Sequence, residues 1–324
     1  MKRNIDFKNK LYGALDKSKL WLKKENFKNV EFDQNNLIKR VLQHIFYSSK
    51  VFFCLESIAY DKHKNKKLFS AIEKEIILEN ITINTKNGII KVKLKHLIKM
   101  YVIFLLKMTY CFFDILLGIL KKKQKIKQYN ILWDSLNRQN ENKFLNILKL
   151  TKNSSFKKIL NQKPLLIKSE FNYKYKNINY LKNPLSYLVK NNLNSEEKFK
   201  LLKNLITSLF LYSKLFISKN YLILIYEDFI NNVLLEHLDK KKLIYKNIFT
   251  TSNLSDQKSW LLRKKKFFKS VLIWNSSAHL ISFKSNNFTQ KNNYKGIEYL
   301  NNDLNLVWEN KFKKSFNQTK TKTG

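Results

Sequence analysis

The run Tyr129-Asn-Ile-Leu-Trp133, followed at once by Asp134 and Ser135, sets the pattern that decides the fold. It is a short apolar segment that ends in polar residues, and similar segments recur at residues 221–226, 243–249, 271–274 and 304–308. Stretches with helical spacing of apolar side chains lie between them, at residues 143–152, 191–219 and 229–238. Continuous apolar strands that alternate with helices are typical of a parallel sheet covered on both faces. Residues 124–316 are therefore predicted to form an open, doubly wound, Rossmann-like α/β domain.

The region before this domain, residues 1–123, is predicted to be mostly helical. Apolar side chains recur there at helical spacing, for example at Leu37, Val41 and Ile45. Residues 81–92 differ, because two short β-prone runs flank Asn87-Gly88, which favours a tight hairpin turn. At the other end of the chain, the polar residues 317–324 are predicted to form a disordered tail.

The most apolar stretch of the chain is HLIKMYVIFLLKMTYCFFDILLGIL, residues 96–120, which three lysines follow. It is long enough to cross a bilayer as a helix. Lys107 and Asp114 are seven residues apart and share one helix face, and a charge near the middle of a membrane is costly unless it is paired. Three interpretations of the segment 97–120 stay open: a core helix, an amphipathic helix at a membrane surface, and a transmembrane helix.

The chain is strongly basic, with 63 lysines and arginines against 24 acidic residues and a net charge of +39. Only four of the basic residues are arginine, whereas proteins that bind nucleic acid often use arginine for its two-pronged hydrogen bonds. Abundant Lys, Asn, Ile and Phe are typical of an AT-rich genome. The charge therefore fits compositional drift or an anionic membrane surface better than a nucleic-acid partner.

No secretory signal is recognisable, because residues 1–31 are polar and charged without an apolar core. We expect a cytoplasmic protein, with the inner face of the plasma membrane as a peripheral location. Cys54 and Cys111 both lie in apolar runs, which predicts buried free thiols and no zinc site.

Candidate site residues follow the predicted strands, because ligands of open parallel sheets bind beyond the carboxyl ends of the strands. Glu227 and Asp228 follow the run 221–226, and we expect one of them to act as a general base. The predicted substrate-binding residues follow the next two strands and are Thr250, Thr251, Ser252, Asn253, Asn275, Ser276, Ser277 and His279. The alternative for every cluster is a helix cap or turn, for which the same residue types are favoured.

Several common motifs are missing from the sequence. There is no GxGxxG, GxxxxGK[ST], HExxH or GxSxG, and the whole chain contains only five glycines. This argues against a dinucleotide enzyme, a P-loop enzyme, a zinc protease and an α/β-hydrolase, and no bound cofactor or metal is expected. Any phosphate would be held by helix N-termini or side chains.

The segment 247–260, NIFTTSNLSDQKSW, followed by VLIWNSS at 271–277, resembles a known pattern. Bacterial surface-polysaccharide biosynthesis proteins with a GT-B-like glycosyltransferase architecture carry a similar TTS-x-x-S-x-Q-x-x-W stretch before a strand that ends in a W-Y-S motif. Asn275 stands here where that motif has its tyrosine, and Val271-Leu272 stand where those proteins have a His-Met pair. The resemblance covers roughly residues 125–312. It implies the acceptor-side half of a GT-B-like fold. We expect a truncated chain that lacks the domain that binds the donor.

The resemblance implies a glycosyltransferase-like protein of surface-carbohydrate biosynthesis. Its expected partners are a nucleotide-sugar donor and a glycan or lipid-linked acceptor. The alternative is a non-catalytic, lysine-rich protein that binds a membrane surface or another polyanion. The two differ in salt dependence, because binding by lysines weakens steeply as salt rises, whereas a site of hydroxyls and amides responds little.

Overall fold

The structure is a computed structural model, and it describes residues 2–25, 27, 32–48, 70–71, 73–120, 128–136, 163–169, 172–175, 178–250, 269–273 and 303–306. The chain is a mixed α/β protein whose largest element is a seven-stranded sheet. The strands of this sheet are β5 (Tyr129–Leu136), β6 (Leu165–Ser169), β7 (Tyr173–Tyr175), β8 (Ile178–Leu181), β9 (Ile244–Thr250), β10 (Lys269–Ile273) and β11 (Leu304–Leu306).

The order across the large sheet is β11-β10-β9-β5-β6-β8-β7. Parallel pairings join β11, β10, β9, β5, β6 and β8, and only the edge strand β7 is antiparallel to its neighbour. The first strand, β5, lies in the middle; the chain moves outward through β6 and β8, then returns to the other side of β5 for β9, β10 and β11. The predicted parallel α/β sheet is confirmed, and its strand order is compatible with a doubly wound fold.

The connection from β8 to β9 is a layer of helices. It consists of α4 (Pro184–Asn192), α5 (Ser195–Ser218), a 3-10 helix (Asn220–Ile225) and α6 (Tyr226–Lys240). α5 confirms the amphipathic helix predicted over 191–219. A capping box sets its start, in which Asn194 Oδ1 accepts from the backbone N–H of Glu197 and the Glu197 side chain accepts from that of Asn194.

The predicted strand at 221–226 is wrong. The residues Asn220–Ile225 form a 3-10 helix that leads directly into α6, and Tyr221 to Ile225 are all buried. A continuous apolar run looks the same in a buried strand and in a buried helical turn, so the hydrophobic pattern does not distinguish them. The tertiary contacts decide, since the Tyr221 ring packs edge-on against Trp21 with 5.1 Å between the ring centroids.

The N-terminal region combines helices with a small antiparallel sheet. Helices α1 (Lys2–Lys24) and α2 (Gln34–Ser48) precede the sheet β1-β2-β3-β4, formed by Ser70–Ala71, Glu75–Ile77, Ile81–Asn84 and Ile90–Val92. The predicted hairpin is confirmed, because Ile81 pairs with Val92 and Ile83 pairs with Ile90. Gly88 takes the left-handed conformation, with φ of 74°, that the turn requires.

The apolar segment forms one long helix, α3 (Leu94–Gly118). One face is buried at Phe104, Met108, Cys111 and Ile115, whereas most apolar side chains on the opposite face are exposed.

Cys111 is a buried free thiol, as predicted; Cys54 lies outside the described residues. Two helices, α3 and α5, have the length and mean hydropathy of a membrane span, with 22% and 28% of their most apolar windows buried.

Among the described residues, one hydrophobic core links the N-terminal helices and α3 to α5, α6 and β5. Its centre is an aromatic cluster, in which Phe216 of α5 packs edge-on against Phe104 of α3 and Phe229 of α6, at 5.0 and 5.1 Å between ring centroids. The helical layer and the N-terminal region therefore fold around shared side chains.

Candidate functional site

The sheet brings together three strand ends that the sequence predicts to be followed by polar residues. Leu132 of β5 pairs with Ile248 of β9, and Thr250 of β9 pairs with Ile273 of β10. Because these strands are parallel, β5, β9 and β10 all end at the same edge of the sheet. The strand ends proposed from sequence to carry Asp134, Thr250 and the segment after Trp274 are therefore adjacent.

The strands β5 and β9 form the point at which the chain reverses its direction across the sheet. From β5 the chain proceeds to β6 on one side, and it later returns to place β9 on the other. In doubly wound sheets, ligands usually bind beyond the carboxyl ends of two such strands. The residues that follow β5 and β9 here, 137–162 and 251–268, lie outside the described residues. We call this edge, formed by the ends of β5, β9 and β10, the switch-point edge.

The structure describes some of the polar residues at these strand ends and not others. Thr250 is the last residue of β9, and Asp134 and Ser135 belong to the carboxyl end of β5, which extends to Leu136. The remaining predicted binding residues lie outside the described residues and stay predictions; they are Thr251, Ser252, Asn253, Asn275, Ser276, Ser277 and His279.

Below the switch-point edge, a buried hydrogen bond connects the two central strands. Trp133 Nε1 of β5 donates to Asn247 Oδ1 of β9 at 2.8 Å, and both side chains are buried. The second amide position, Asn247 Nδ2, has no hydrogen-bond partner among the described residues, which costs about 1–3 kcal/mol for a buried donor. This pair was not predicted from the sequence, although the asparagine inside the apolar run 243–249 is a visible signal.

Asp228, one of the two predicted catalytic residues, is part of a buried ion pair. Arg40 Nε of α2 donates to Asp228 Oδ2 at 2.6 Å, and the side chains are 10% and 1% exposed. A second contact, from Arg40 Nη1 to Gln43 Oε1 at 3.1 Å, orients the guanidinium. This carboxylate lies in the first turn of α6, where negative charge also complements the helix dipole.

Glu227, the other predicted catalytic residue, contacts the side chain of Lys107 on α3. Burial by itself would lower the pKa of Lys107, but the hydrogen bond and the charge of Glu227 outweigh it and raise that pKa above its ordinary value. Burial, followed by the charge of Glu227, raises the pKa of the neighbouring Tyr226 hydroxyl. Glu227 therefore joins α6 to α3 as a partly exposed ion pair.

The prediction that Glu227 and Asp228 follow a strand is thus wrong, since they open a helix that a 3-10 turn precedes. The alternative weighed from sequence, that of acidic residues complementing a helix N-terminus, describes both positions. The reason is again the buried run 221–225, whose pattern suits a strand and a helical turn equally well.

His44 lies beside the Arg40–Asp228 pair on α2. Burial, followed by the charges of Arg40 and His96, lowers the pKa of His44 to about 3, against the opposing charge of Glu227. The imidazole is therefore neutral at physiological pH. Among the residues that the structure describes, no group of three His, Cys, Asp or Glu side chains could hold a metal ion.

Comparison of the chain with models of known protein families, with curated proteins and with solved structures finds no match. The resemblance to GT-B-like polysaccharide biosynthesis proteins therefore depends only on the residues quoted above.

Proposed function

We propose that the chain is a Rossmann-like, glycosyltransferase-like protein that binds its sugar substrates at the switch-point edge. The observation that supports this proposal is the adjacency of the strand ends of β5, β9 and β10. Polar residues of the resembling segments stand at these ends or follow them directly: Asp134, Ser135, Thr250–Asn253 and Asn275–Ser277. Hydroxyl and amide groups at that place suit the hydroxyls of a sugar and the oxygens of a phosphate.

The proposed reaction transfers a sugar from a nucleotide-sugar to an acceptor hydroxyl. A carboxylate takes the proton of the acceptor hydroxyl while the hydroxyl oxygen attacks the anomeric carbon of the donor sugar. The bond between that carbon and the phosphate oxygen breaks, and the nucleoside diphosphate leaves with the electron pair. Asp134, at the end of β5, replaces Glu227 and Asp228 as our candidate for the base, because both of those carboxylates form ion pairs with basic side chains of the N-terminal region.

Within a GT-B-like arrangement, this domain would supply the acceptor side of the reaction. We therefore propose a glycan or lipid-linked acceptor as its first ligand and a nucleotide-sugar as the second. A site of hydroxyls and amides should keep its affinity when salt rises.

Saturation-transfer NMR of the chain with panels of nucleotide-sugars and glycan acceptors, each at low and high salt, tests this proposal. Salt-resistant binding of one compound that is lost in Thr250→Ala or Ser135→Ala supports it. The absence of binding in both panels, or binding that disappears with salt and is unaffected by these variants, contradicts it.

The second outcome would favour the non-catalytic alternative, a lysine-driven membrane or polyanion binder. One observation supports that alternative specifically: Lys95, Lys99, Lys203 and Lys214 are exposed, and none forms an ion pair with a carboxylate of the described residues. It predicts a steep loss of affinity for any anionic ligand with increasing salt.

A further inference from the structure

The helices α3 and α5 lie side by side in the helical layer. Lys198 Nζ of α5 donates to the carbonyl oxygen of Gly118, at the end of α3, at 2.8 Å, and Phe216 at the other end of α5 packs against Phe104. The end of α3 thus lies beside the start of α5, so the two helices are antiparallel. Both also contact α6, through Lys107 with Glu227 and through Tyr212 with Phe229.

The faces of α3 and α5 turned away from the core expose large apolar side chains. Leu106, Phe113 and Leu117 lie on α3, and Phe199, Phe210 and Ile217 lie on α5. Leu117, Phe210 and Ile217 are 76%, 71% and 78% exposed. We call this pair of faces the α3/α5 surface. An apolar surface of this extent on a protein usually marks a place of contact with a membrane or another protein.

The stripe on α5 lies on the flank nearer to α3. Phe199 and Ile217 each directly follow a residue that contacts α3, namely Lys198 and Phe216. Glu197, on the opposite flank, pairs with Lys241 at the end of α6. One residue corresponds to a rotation of about 100° around a helix axis. The apolar stripe of α5 therefore continues the exposed apolar face of α3 as one surface.

Lysines lie along this surface, and four of them have no acidic partner among the described residues. Lys95 and Lys99 occupy the first turns of α3, and Lys203 and Lys214 stand four residues after Phe199 and Phe210, one turn further along the same face of α5. All four are exposed, and none pairs with a carboxylate of the described residues. A symmetric contact between two copies through this surface would bring these positive charges together, which is unfavourable.

The core-facing contacts of α3 exclude its insertion as a spanning helix of this fold. Lys107 pairs with Glu227 of α6, and Asp114 contacts both Ser186 and Lys190 of α4. Insertion across a bilayer would break these ion pairs and expose Phe104, Met108 and Ile115, which belong to the shared core. Only the outer face is free to meet lipid, so α3 and α5 would lie in the plane of the membrane.

From these contacts and charges we propose that the α3/α5 surface binds an anionic lipid bilayer, with its apolar side chains in the acyl boundary and its lysines at the headgroups. This combination of an apolar face and basic flanks is how helices bind at a membrane interface. This inference is independent of the proposed sugar transfer. Vesicle binding and sugar binding are measured separately, so the failure of one proposal can be distinguished from the failure of the other.

Flotation of the full chain with vesicles tests the surface. One set is made of phosphatidylcholine alone, and the other of equal parts phosphatidylcholine and phosphatidylglycerol. We expect binding to the anionic vesicles, and we expect Leu117→Gln to lower the partition coefficient about tenfold or more, since burial of a leucine is lost. Leu20→Gln is the matched control, because Leu20 is 61% exposed on α1, outside the surface.

The lysines are tested by a second matched pair. Lys203→Gln/Lys214→Gln should weaken binding to anionic vesicles about tenfold, at low salt, whereas Lys23→Gln/Lys24→Gln at the end of α1 should leave it nearly unchanged. All substituted positions are exposed, so an unchanged far-UV spectrum and melting temperature will confirm that each variant is folded.

Four results would overturn the proposal. The first is no binding to either kind of vesicle. The second is an equal effect of Leu117→Gln and Leu20→Gln. The third is a dimer in solution that Leu117→Gln dissociates, which would assign the surface to a second copy. Resistance of the bound protein to extraction with alkaline carbonate would contradict binding in the plane of the membrane and favour a spanning helix.

Discussion

Arg40 Nε donates to Asp228 Oδ2 at 2.6 Å, across an interval of 188 residues, and so ties α2 to the first turn of α6 inside the shared core. The pair is nearly inaccessible to solvent. A buried carboxylate that already accepts from a guanidinium has a structural role that its sequence position after an apolar run did not reveal. Because Asp228 has this structural role, our candidate for the general base is Asp134 at the sheet edge and not a residue of α6.

Removing one partner of this pair should destabilise the fold. Arg40→Met leaves the Asp228 carboxylate buried without its cation, and we expect the free energy of unfolding to fall by about 3–5 kcal/mol. Replacing both partners by apolar residues, in Arg40→Met/Asp228→Leu, should cost much less because no buried charge remains. Urea denaturation measures both changes. Equal losses of unfolding free energy in the single and double variants would contradict this account, because the loss would then not come from leaving the buried Asp228 charge unpaired.

The neutral His44 makes stability depend on pH. Its pKa is lowered from 6.5 to about 3 in the folded chain, so folding is favoured when the imidazole is neutral. The contribution is complete above about pH 6.5 and is lost as pH falls towards 3, with a slope of at most about 1.4 kcal/mol per pH unit. The charges of Arg40, Glu227 and His96 of α3 act on this pKa.

His44→Gln removes this titration while it keeps a polar side chain of similar size. We expect the difference in unfolding free energy between wild type and variant to shift in the variant's favour as pH is lowered from about 6.5 to about 4. Denaturant curves at several pH values give this difference, and the titration of other carboxylates cancels in it. Parallel pH profiles for the two proteins would contradict a lowered pKa of His44.

Two glycines should respond to alanine in opposite directions. Gly88 has φ of 74°, and an added Cβ would overlap the backbone of Lys17 and Ser18 on α1. Its carbonyl oxygen accepts from Ser18 Oγ at 2.7 Å, so the loop cannot move away without losing that bond. Gly88→Ala should cost at least about 2 kcal/mol.

Gly13, in the interior of α1, is the control, because an added Cβ there meets nothing within 4 Å. Gly13→Ala should stabilise by about 0.5–1 kcal/mol through helix propensity. Thermal unfolding of both variants is sufficient to test the contrast. A similar loss of thermal stability in both variants would mean that the packing of the hairpin on α1 leaves room for a side chain at Gly88.

Glu227→Gln should change stability little. Lys107 and Glu227 are 46% and 41% exposed, and ion pairs of that exposure contribute less than about 1 kcal/mol. A loss of several kcal/mol on urea denaturation would show that the α3–α6 contact depends on this pair far more than its exposure indicates.

The strands of the central sheet were predictable where the apolar run was followed by polar residues. β5, β9 and β10 follow this rule. The order of the strands in the sheet was not predicted from the sequence. The short strands β6 and β8 were missed because three or four apolar residues do not show a period. The start of α4 could have been found, since Asn183 caps it and Pro184 occupies its first turn.

The candidate site was predictable only in part. Sequence located Thr250 and the end of β5, because strand ends are visible in the hydrophobic pattern. It placed Glu227 and Asp228 wrongly, because the ion pairs that fix them are made by residues more than a hundred positions away in the chain, Lys107 and Arg40. Tertiary partners of this kind leave no local signal.

The most direct test of the switch-point edge is titration calorimetry with the sugar compound that shows the strongest salt-resistant saturation transfer. We predict that Thr250→Ala/Ser135→Ala weakens its binding about tenfold or more, while Glu227→Gln leaves the affinity unchanged. If no compound binds the wild-type chain, or if Glu227→Gln abolishes binding while the switch-point variant retains it, the proposed site at the ends of β5 and β9 is contradicted.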